Sequence, residues 1–596
     1  MSRHLLAIAV GPVQEFIAAA RRTRDLWFGS KVLSDISKAA AKIAAKHGTL
    51  IFPQSVDAPN VANVILVELN EGEIPATVAD AAKEATQSKW RKFAEPVFGV
   101  YKGVICEQIW KDQVDDVVEF YAAWAPLTGT YQADRARVMR LLAGRKNCRD
   151  FLAAEGKPGV PKSSLDGLRE SVLKDPKVDP WKEKYRARLR VREGEQLDVV
   201  GLVKRASGGT QPYPSVSRVA ADPWLRGCGN LVGVIAACEA VNRLPGPQAI
   251  RELDVSADGH PHFADFPFEG TAVFRSRHHE LWEETQDDDE TVEQSRAKFG
   301  GLEKALAELT QSAGEPNPYL AVIVADGDQV GKTLSNLASV EQHRNFSKTL
   351  AEFAEKAKEI VHRYRGILVY AGGDDVLAFV PVDQCLDCAR ELHDTFGTLL
   401  AGFATETPTE RTKLTLSVGV AIGHFMENLE DLLEYGRAAE KHAKKPDKDN
   451  VKDALAVHLH KRGGGPIKVR AKWTDTKPKD SEWADAPDTR ITGLAALLND
   501  GQLPNRLATD LNKMVTVYKA WPKDATTGEA IKQDVLRVIA AKQPRQGENL
   551  RERLQSALDR ITDAATLKQL AEELLVARQI ATACRQANPA TNGGGK

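Results

Sequence analysis

The sequence predicts an α+β protein that contains two ferredoxin-like units, helical insertions and a C-terminal helical bundle. The chain opens with the pattern of a strand, two helices and two strands, within residues 4–69. From Tyr319 onward, apolar runs and helical periodicity alternate in the order β-α-β-β-α-β, which is the ferredoxin-like layout. Beyond Trp473, a polar linker precedes several amphipathic helices. Together these observations indicate two α+β units and a separate bundle.

Composition narrows the class of protein. The 596 residues are 42% hydrophobic and 27% charged, as expected for a soluble globular protein of several domains. Lys plus Arg number 81 and Asp plus Glu 82, so any RNA contact is expected to be local or shared with partners. Seven cysteines without a dense cluster favour a reducing, cytoplasmic setting. The initial run LLAIAV is too short for a signal peptide, and no run approaches the ~18 apolar residues of a membrane span.

The first unit begins with a predicted strand at 4–10, after which Gly11 and Pro12 turn the chain. Helices are predicted at 13–24 and 30–46, and strands at 50–52 and 64–69. Helical patterns then predominate. We therefore predict a first elaborated domain over residues 1–219 and a helical domain over residues 220–315.

The second unit shows the clearest periodicity. Phe346, Leu350, Phe353, Ala357 and Ile360 recur every three or four residues, which predicts a helix over 340–364. The remaining elements are predicted as strands at 320–325, 367–371, 376–380 and 414–422, and as helices at 383–400 and 429–445. A stretch at 454–460 is interpreted as an added edge strand. The second unit is thus assigned to 316–472, and a C-terminal bundle suited to protein docking to 473–596.

The stretch IVADGDQVGKT, residues 323–333, resembles the sequence of a phosphate-binding P-loop. A P-loop needs four residues between its first glycine and the Gly-Lys pair, because that length lets successive amides surround a phosphate. Only three residues separate Gly327 from Gly331, and Asp326 precedes them with a carboxylate that would repel phosphate. The sequence therefore favours Asp326 as a metal ligand at the end of a strand.

A second acidic motif follows downstream. The segment LVYAGGDDVLAF places Asp374 and Asp375 at the tip of a predicted hairpin. In a β-α-β-β unit this hairpin can lie beside the first strand, which would bring Asp326 close to both aspartates. Clustered carboxylates are unfavourable unless cations neutralise them, and oxygen ligands suit Mg²⁺ or Mn²⁺. The alternative is that GGDD is only a polar turn.

These motifs resemble a known family. GGDD preceded by strand-DGD and followed by LTLSVGVAIG and AEKHAKKPDKDN is similar to the palm domain of diguanylate cyclases. It is more similar to the large subunit of type III CRISPR effector complexes. The opening GPVQEFIAAARRTRDLWFGSKVLSDI resembles the first palm of that subunit in the type III-B, or Cmr, branch. The resemblance implies a subunit that, with other Cmr proteins, CRISPR RNA and target RNA, converts ATP into 3′-5′ cyclic oligoadenylate.

The resemblance also implies roles for individual residues. Asp326, Asp374 and Asp375 take the metal-ligand and catalytic positions, and Lys444 matches a palm lysine that meets the phosphates. The first palm lacks these acids, with Gly11 and Pro12 standing where Asp326 stands, and is expected to bind the acceptor ATP. The predicted ATP contacts are Gly327, Asp328, Gly331, Lys332, Gly372, Gly373, Lys444, Ser30 and Ser34. For Ser30 and Ser34 the alternative is helix capping, and for Lys332 a solvated surface lysine.

The sequence departs from the family in two places. Many relatives begin with an HD nuclease domain, whereas the only His-Asp pair here, His393-Asp394, lies in a predicted helix. We expect no metal-dependent DNase activity. Relatives also carry a cysteine zinc cluster, but Cys148 has no neighbouring cysteine. Cys385 and Cys388 are interpreted as packed helix residues, so zinc is not expected.

Two other functions remain open at this point. The palm could be a nucleotide-binding scaffold of the same ribonucleoprotein, in which ATP is bound but not joined. The chain could also be a stand-alone cyclase that makes a dinucleotide, although its large helical regions argue against that.

Overall fold

The computed structural model describes residues 3–589 except 57–60, 149–156, 176–180, 182–188, 192–193, 209–212, 245–249, 258, 285–289, 404, 408–409, 447–451, 474–485 and 543–549. Much of the acidic stretch ETQDDDETVEQ (284–294), most of the linker after Trp473 and the C-terminal tail lie outside the described residues. In the described part, the strands form one four-stranded sheet, one six-stranded sheet and a two-stranded ribbon.

The first sheet has the ferredoxin-like order β2-β3-β1-β4 and is antiparallel throughout. Its strands are β1 (His4–Gly11), β2 (Gly48–Phe52), β3 (Val64–Leu69) and β4 (Glu119–Pro126). Its helices are α1 (Gln14–Ala18), α2 (Thr23–His47), α3 (Pro75–Tyr101), α4 (Glu107–Val114) and α5 (Tyr131–Asn147). Strand β4 was not predicted, because most of its residues are only half-buried and its sequence lacks a clear alternation.

The connecting region is helical, as predicted. It contains α6 (Val199–Gly208), α7 (Val216–Gly227), α8 (Val232–Asn242), α9 (His278–Glu284), α10 (Val292–Lys298) and α11 (Gly300–Ala313). Helix α7 packs against both the second sheet and the C-terminal helices. The buried Asp222 on α7 accepts from Arg365, at 2.9 Å, which joins the helical region to the second unit.

The second sheet repeats the first and extends it, in the order β12-β11-β10-β5-β7-β6. Its strands are β5 (Tyr319–Asp328), β6 (Ile367–Ala371), β7 (Val376–Val380), β10 (Thr415–His424), β11 (Ala454–Leu459) and β12 (Ile467–Lys472), with β8 (Thr405–Thr407) and β9 (Glu410–Thr412) forming the ribbon. Its helices are α12 (Val330–Asn336), α13 (Val340–Arg363), α14 (Cys385–Leu399) and α15 (Leu429–Ala443). The prediction that 454–460 is an edge strand was wrong, because β12 covers its outer side.

The C-terminal helices are α16 (Pro487–Asn499), α17 (Leu507–Tyr518), α18 (Ala525–Lys542), α19 (Leu550–Asp559) and α20 (Ala564–Ala587). A buried ion pair between Arg490 and Glu573, with nitrogen–oxygen distances of 2.8 and 2.7 Å, joins α16 to α20. Arg390 on α14 binds Asp488, which attaches these helices to the second unit. The predicted fold class is confirmed. No helix in the described ranges has the length and apolar character needed to cross a bilayer.

Direct contacts join the two ferredoxin-like units. Tyr131 and His343 share a hydrogen bond of 2.6 Å between the phenol oxygen and Nδ1. The Gln54 amide donates to Ser347 Oγ at 3.0 Å, and the Arg344 guanidinium donates to the Leu50 carbonyl. Helix α13 of the second unit therefore lies against β2 of the first, and the preceding helix α12 lies against α5.

Candidate active site

The end of β5 and the β6–β7 turn bring the predicted acidic residues together. The β5–β7 ladder ends at the pair Ala325 and Val376, so Asp326 lies beside the turn that precedes Val376. The Gly327 amide donates to the Asp374 carbonyl at 3.2 Å, and a Cβ on Gly327 would stand 2.9 Å from the Asp374 Cβ. Gly373 has a φ of 108°, a conformation that favours glycine.

Burial and the closeness of other carboxylates disfavour ionisation of the carboxyl groups at this turn. Burial, and next the neighbouring Asp375 carboxylate, raises the pKa of Asp374 to about 6. Asp375 is exposed, yet enough protein surrounds its carboxyl to raise its pKa by desolvation. The pKa of Glu440, on α15, is raised by burial and then by Asp375. Glu440 is a fourth acid of the site that sequence analysis missed, although its spacing of four residues from Lys444 could have indicated it.

Lys444 lies inside the site. It follows the last residue of α15, and its ammonium forms an ion pair with Asp326, with Glu440 Oε1 at 3.7 Å. Burial, and next the charge of Lys452, lowers the pKa of Lys444 to about 8. Within the described ranges, no three His, Cys, Asp or Glu side chains form a group arranged to hold a metal ion. In this arrangement the ammonium of Lys444 neutralises the carboxylate of Asp326.

Asp328 has a different environment from Asp326. Its side chain is buried, and Oδ2 accepts from Thr415 at 3.0 Å, from Ser417 at 2.7 Å and from the Asp453 amide at 3.1 Å. Burial raises the pKa of this carboxyl. Asp328 therefore connects β5, β10 and the start of β11 through its side chain, and its predicted contact with ATP stays a prediction.

The glycine-rich segment does not form a P-loop. The Gly327 amide, predicted to hold a phosphate, already donates to the Asp374 carbonyl. Gly331, Lys332 and Gly372 are exposed, and Gln329, with a φ of 66°, precedes the seven-residue helix α12. The structure thus agrees with the spacing argument against the P-loop.

Ser30 and Ser34 lie in the interior of α2, because this helix begins at Thr23 and not at Ser30. The helix-capping alternative is therefore wrong for both. Ser34 is buried, and its Oγ accepts from the Val61 amide at 2.8 Å. Ser30 is half-buried.

The remaining candidate residues lie away from the acidic turn. His393 is buried on α14 and shares hydrogen bonds of 2.8 Å with Asp394 and with Asp453. Cys385 and Cys388 are buried, and burial raises the pKa of both thiols, as expected for packed helix residues. Cys148 is exposed.

Known proteins match two separate parts of the chain. A family model described as the second palm domain of Cas10/Cmr2 matches residues 319–456. A model described as the N-terminal region of the CRISPR-associated protein Cmr2 matches residues 5–95. The Cmr subunit Cmr2 of Pyrococcus furiosus is 32% identical over 25% of this chain and 19% of its own length. Cmr2 of Saccharolobus solfataricus is 41% identical over 7% of this chain and 4% of its own length.

Solved structures extend the likeness of fold to nearly the whole chain. The apo state of the type III-B Cmr-beta complex contains a chain that matches with a TM-score of 0.63 and 14% identity, covering 97% of this chain and 81% of that one. The same complex bound to cognate target RNA gives 0.61 and 13%, covering 97% and 83%. The matched segments span less than a fifth of each curated relative. The N-terminal region and the GGDD palm of the chain are thus similar in sequence to Cas10/Cmr2 proteins of type III-B CRISPR systems.

Proposed function

We propose that this chain is a nucleotidyltransferase, the large subunit of a type III-B RNA-guided antiviral complex. On binding target RNA it converts ATP into 3′-5′ cyclic oligoadenylate at its GGDD palm. The observation that carries the proposal is the meeting of Asp326 with Asp374 and Asp375 where β5 reaches the β6–β7 turn.

The oxygen donors of these acidic residues are of the kind that divalent cations bind. Asp374, Asp375 and Glu440 all have raised pKa values because they are desolvated and, for Asp374 and Glu440, because Asp375 is close. Such carboxylates become favourable when a cation neutralises them, and oxygen ligands suit Mg²⁺ or Mn²⁺. When bound, these ions polarise the attacked phosphorus, make the attacking hydroxyl more acidic and neutralise the leaving pyrophosphate. Asp326, Asp374 and Asp375 would hold them.

The ammonium group of Lys444 can pair with more than one anion in the site. Its ammonium neutralises Asp326 in this structure. A lysine head group on a flexible stem can leave one anion for another nearby. We infer that Lys444 would move from Asp326 to the triphosphate of a bound nucleotide, and Asp326 would then be available to hold a cation.

The partners and setting follow from the same proposal. The chain would act in the cytoplasm within a Cmr-type complex that holds CRISPR RNA and target RNA, with its C-terminal helices available for protein contacts. A Cmr-beta chain of the same fold has been seen with cognate target RNA bound. The first sheet, which lacks the acids, would hold the acceptor ATP.

One observation favours a second candidate, the non-catalytic scaffold. The ion pair between Lys444 and Asp326 satisfies both charges without any metal. The scaffold, however, gives no reason for Asp374, Asp375 and Glu440 to stand together with raised pKa values.

The decisive experiment incubates the assembled complex with ATP, Mg²⁺ and matching RNA, and separates the products by chromatography and mass spectrometry. We expect cyclic oligoadenylate from wild type and none from the Asp374→Ala, Asp375→Ala variant. The matched control is Asp115→Ala, Asp116→Ala, an adjacent exposed pair at the end of α4. Unchanged product in the first variant would refute the site, and no product from wild type would favour the scaffold.

A further inference from the structure

The first turn of α2 contains a cation whose charge is poorly compensated. Arg24 is 2% exposed, and none of its three guanidinium nitrogens has a hydrogen-bond partner within the described residues. Its closest anionic atom is Asp25 Oδ1, 3.5 Å from Nε. A buried polar group without a partner is costly, and a bound ion or water is the usual explanation.

The neighbouring acids are already engaged by another arginine. Arg205 Nε binds Asp25 Oδ2 at 2.7 Å, and Arg205 Nη2 binds Glu195 Oε1 at 3.0 Å. Arg22 donates to the Arg190 carbonyl at 2.5 Å, which leaves its charge unneutralised by that contact. The carboxylate of Asp25 is therefore shared among three arginines: Arg22, Arg24 and Arg205.

The excess of positive charge is reflected in the ionisation of the arginines. Burial lowers the pKa of Arg22, and the next largest cause is the charge of Arg205. Burial also lowers the pKa of Arg24, with Arg205 and Arg190 opposing the help from Asp25. An anion placed among these groups would reverse the repulsion.

The uncapped N-terminus of α2 also favours binding of an anion. Helix α2 is 25 residues long, and its N-cap residue Arg22 provides no side-chain cap. The first backbone N–H groups of a helix have no acceptor within the helix, and the helix dipole makes this end positive. The Thr23 hydroxyl donates to the Pro214 carbonyl at 2.8 Å and is not a cap either.

We propose that the N-terminus of α2, with Arg22 and Arg24, binds a phosphate group. A planar guanidinium matches two oxygens of a tetrahedral oxyanion, and helix N-termini bind such ions through backbone N–H groups. The bound group fastens α2 to the Arg190 backbone and to α6, on the helical side of the first unit. The proposal does not depend on whether the GGDD palm is catalytic.

The test measures the thermal stability of the full chain during a titration with inorganic phosphate, with chloride at equal ionic strength as reference. Wild type should gain several degrees, saturating with concentration, and Arg24→Gln should gain no more than with chloride. The control Arg21→Gln, which alters an exposed neighbour that donates to the Ser164 carbonyl, should respond like wild type.

Further arms identify the source of the phosphate and guard against misfolding. Calorimetry with wild type alone, using phosphate, AMP and a 5′-phosphorylated or 5′-hydroxyl oligoribonucleotide, distinguishes free phosphate from a nucleic-acid terminus. Arg24→Lys keeps the charge but loses the planar fork, so phosphate affinity should fall about tenfold. The proposal is overturned if wild type binds none of the phosphate probes, or if Arg24→Gln responds to phosphate as wild type does.

Discussion

The two sheets share one topology but differ in a few side chains at the same place. The β1–β3 ladder ends at Ala9 and Val64, and the β5–β7 ladder ends at Ala325 and Val376. When these pairs are matched, Val10 corresponds to Asp326, and residues 62–63 correspond to Asp374 and Asp375. The prediction that Gly11 and Pro12 occupy the position of Asp326 was therefore wrong by one residue, since Gly11 corresponds to Gly327.

Backbone geometry alone does not make the site. In the first sheet, the Val10 amide donates to the Asn63 carbonyl at 2.9 Å, and the Asn63 side chain returns a hydrogen bond of 3.3 Å to the Val10 carbonyl. In the second, the Gly327 amide donates to the Asp374 carbonyl, and the carboxylate of Asp375 is close enough to raise the pKa of Asp374. The same scaffold therefore holds a closed polar turn in the first unit and desolvated carboxylates in the second.

The largest expected effect is the loss of stability on placing an acid at the equivalent position of the first sheet. Val10 is 1% exposed, whereas the side chain of Asp326 is 28% exposed and paired with Lys444. We expect Val10→Asp to reduce the free energy of unfolding by about 3–5 kcal/mol, because it buries an unpaired charge. Urea denaturation measures the loss. Val10→Thr is the control of similar shape, and equal stability of the Asp variant and wild type would show that the two positions are interchangeable.

The second sheet should also make stability depend on pH, because it contains Asp374 and the first sheet has no acid at the corresponding position. The folded-state pKa of Asp374 is about 6, above its unfolded value of 3.8, so the folded protein holds this proton more tightly. Stability from this group is fully present below about pH 4 and is lost as pH rises through 6, by up to about 3 kcal/mol. Denaturation at pH 4–7 of wild type and Asp374→Asn measures it. A difference between the two that does not change with pH would contradict the raised pKa, and added Mg²⁺ should reduce the loss.

Removing the ammonium of Lys444 should strengthen metal binding, and this effect should be smaller than the two changes in stability. Without its ammonium at Asp326, the nucleotide-free Lys444→Met chain should bind Mn²⁺ about tenfold more tightly, which is about 1.4 kcal/mol. Turnover should nevertheless fall if Lys444 also meets the phosphates. Mn²⁺ binding followed by electron paramagnetic resonance measures the affinity. The exposed neighbour Lys445 gives the control Lys445→Met. Unchanged Mn²⁺ affinity in Lys444→Met would show that the ion pair does not compete with metal.

The sequence predicts much of the second sheet because apolar runs end at glycines and aspartates that mark each turn. It predicts Asp326, Asp374 and Asp375 for the same reason: the strand-DGD and GGDD motifs are local. It does not predict β4 or β12, since neither has a clean alternation of buried and exposed residues. The start of α2 at Thr23 was missed because a run of arginines hides the helical pattern.

Other features of the site depend on contacts that are distant in sequence. The side chain of Asp328 is held inward by the hydroxyls of Thr415, which the ladder between β5 and β10 places opposite it, and of Ser417, two residues farther along β10. Glu440 joins the site only because α15 packs on β5 and β10. The pairing of Lys444 with Asp326 arises in the same way. Local patterns identify the acids, whereas tertiary packing decides which partner each acid has.

The account is tested most directly by Asp326→Asn in the assembled complex, because this change removes one charge at the central position without altering shape. With ATP, Mg²⁺ and matching RNA, we expect wild type to form cyclic oligoadenylate and Asp326→Asn to lose at least about a thousandfold in rate. The thermal stability of the variant should show that it remains folded. Cyclic product formed at the wild-type rate by folded Asp326→Asn would contradict the assignment of this site.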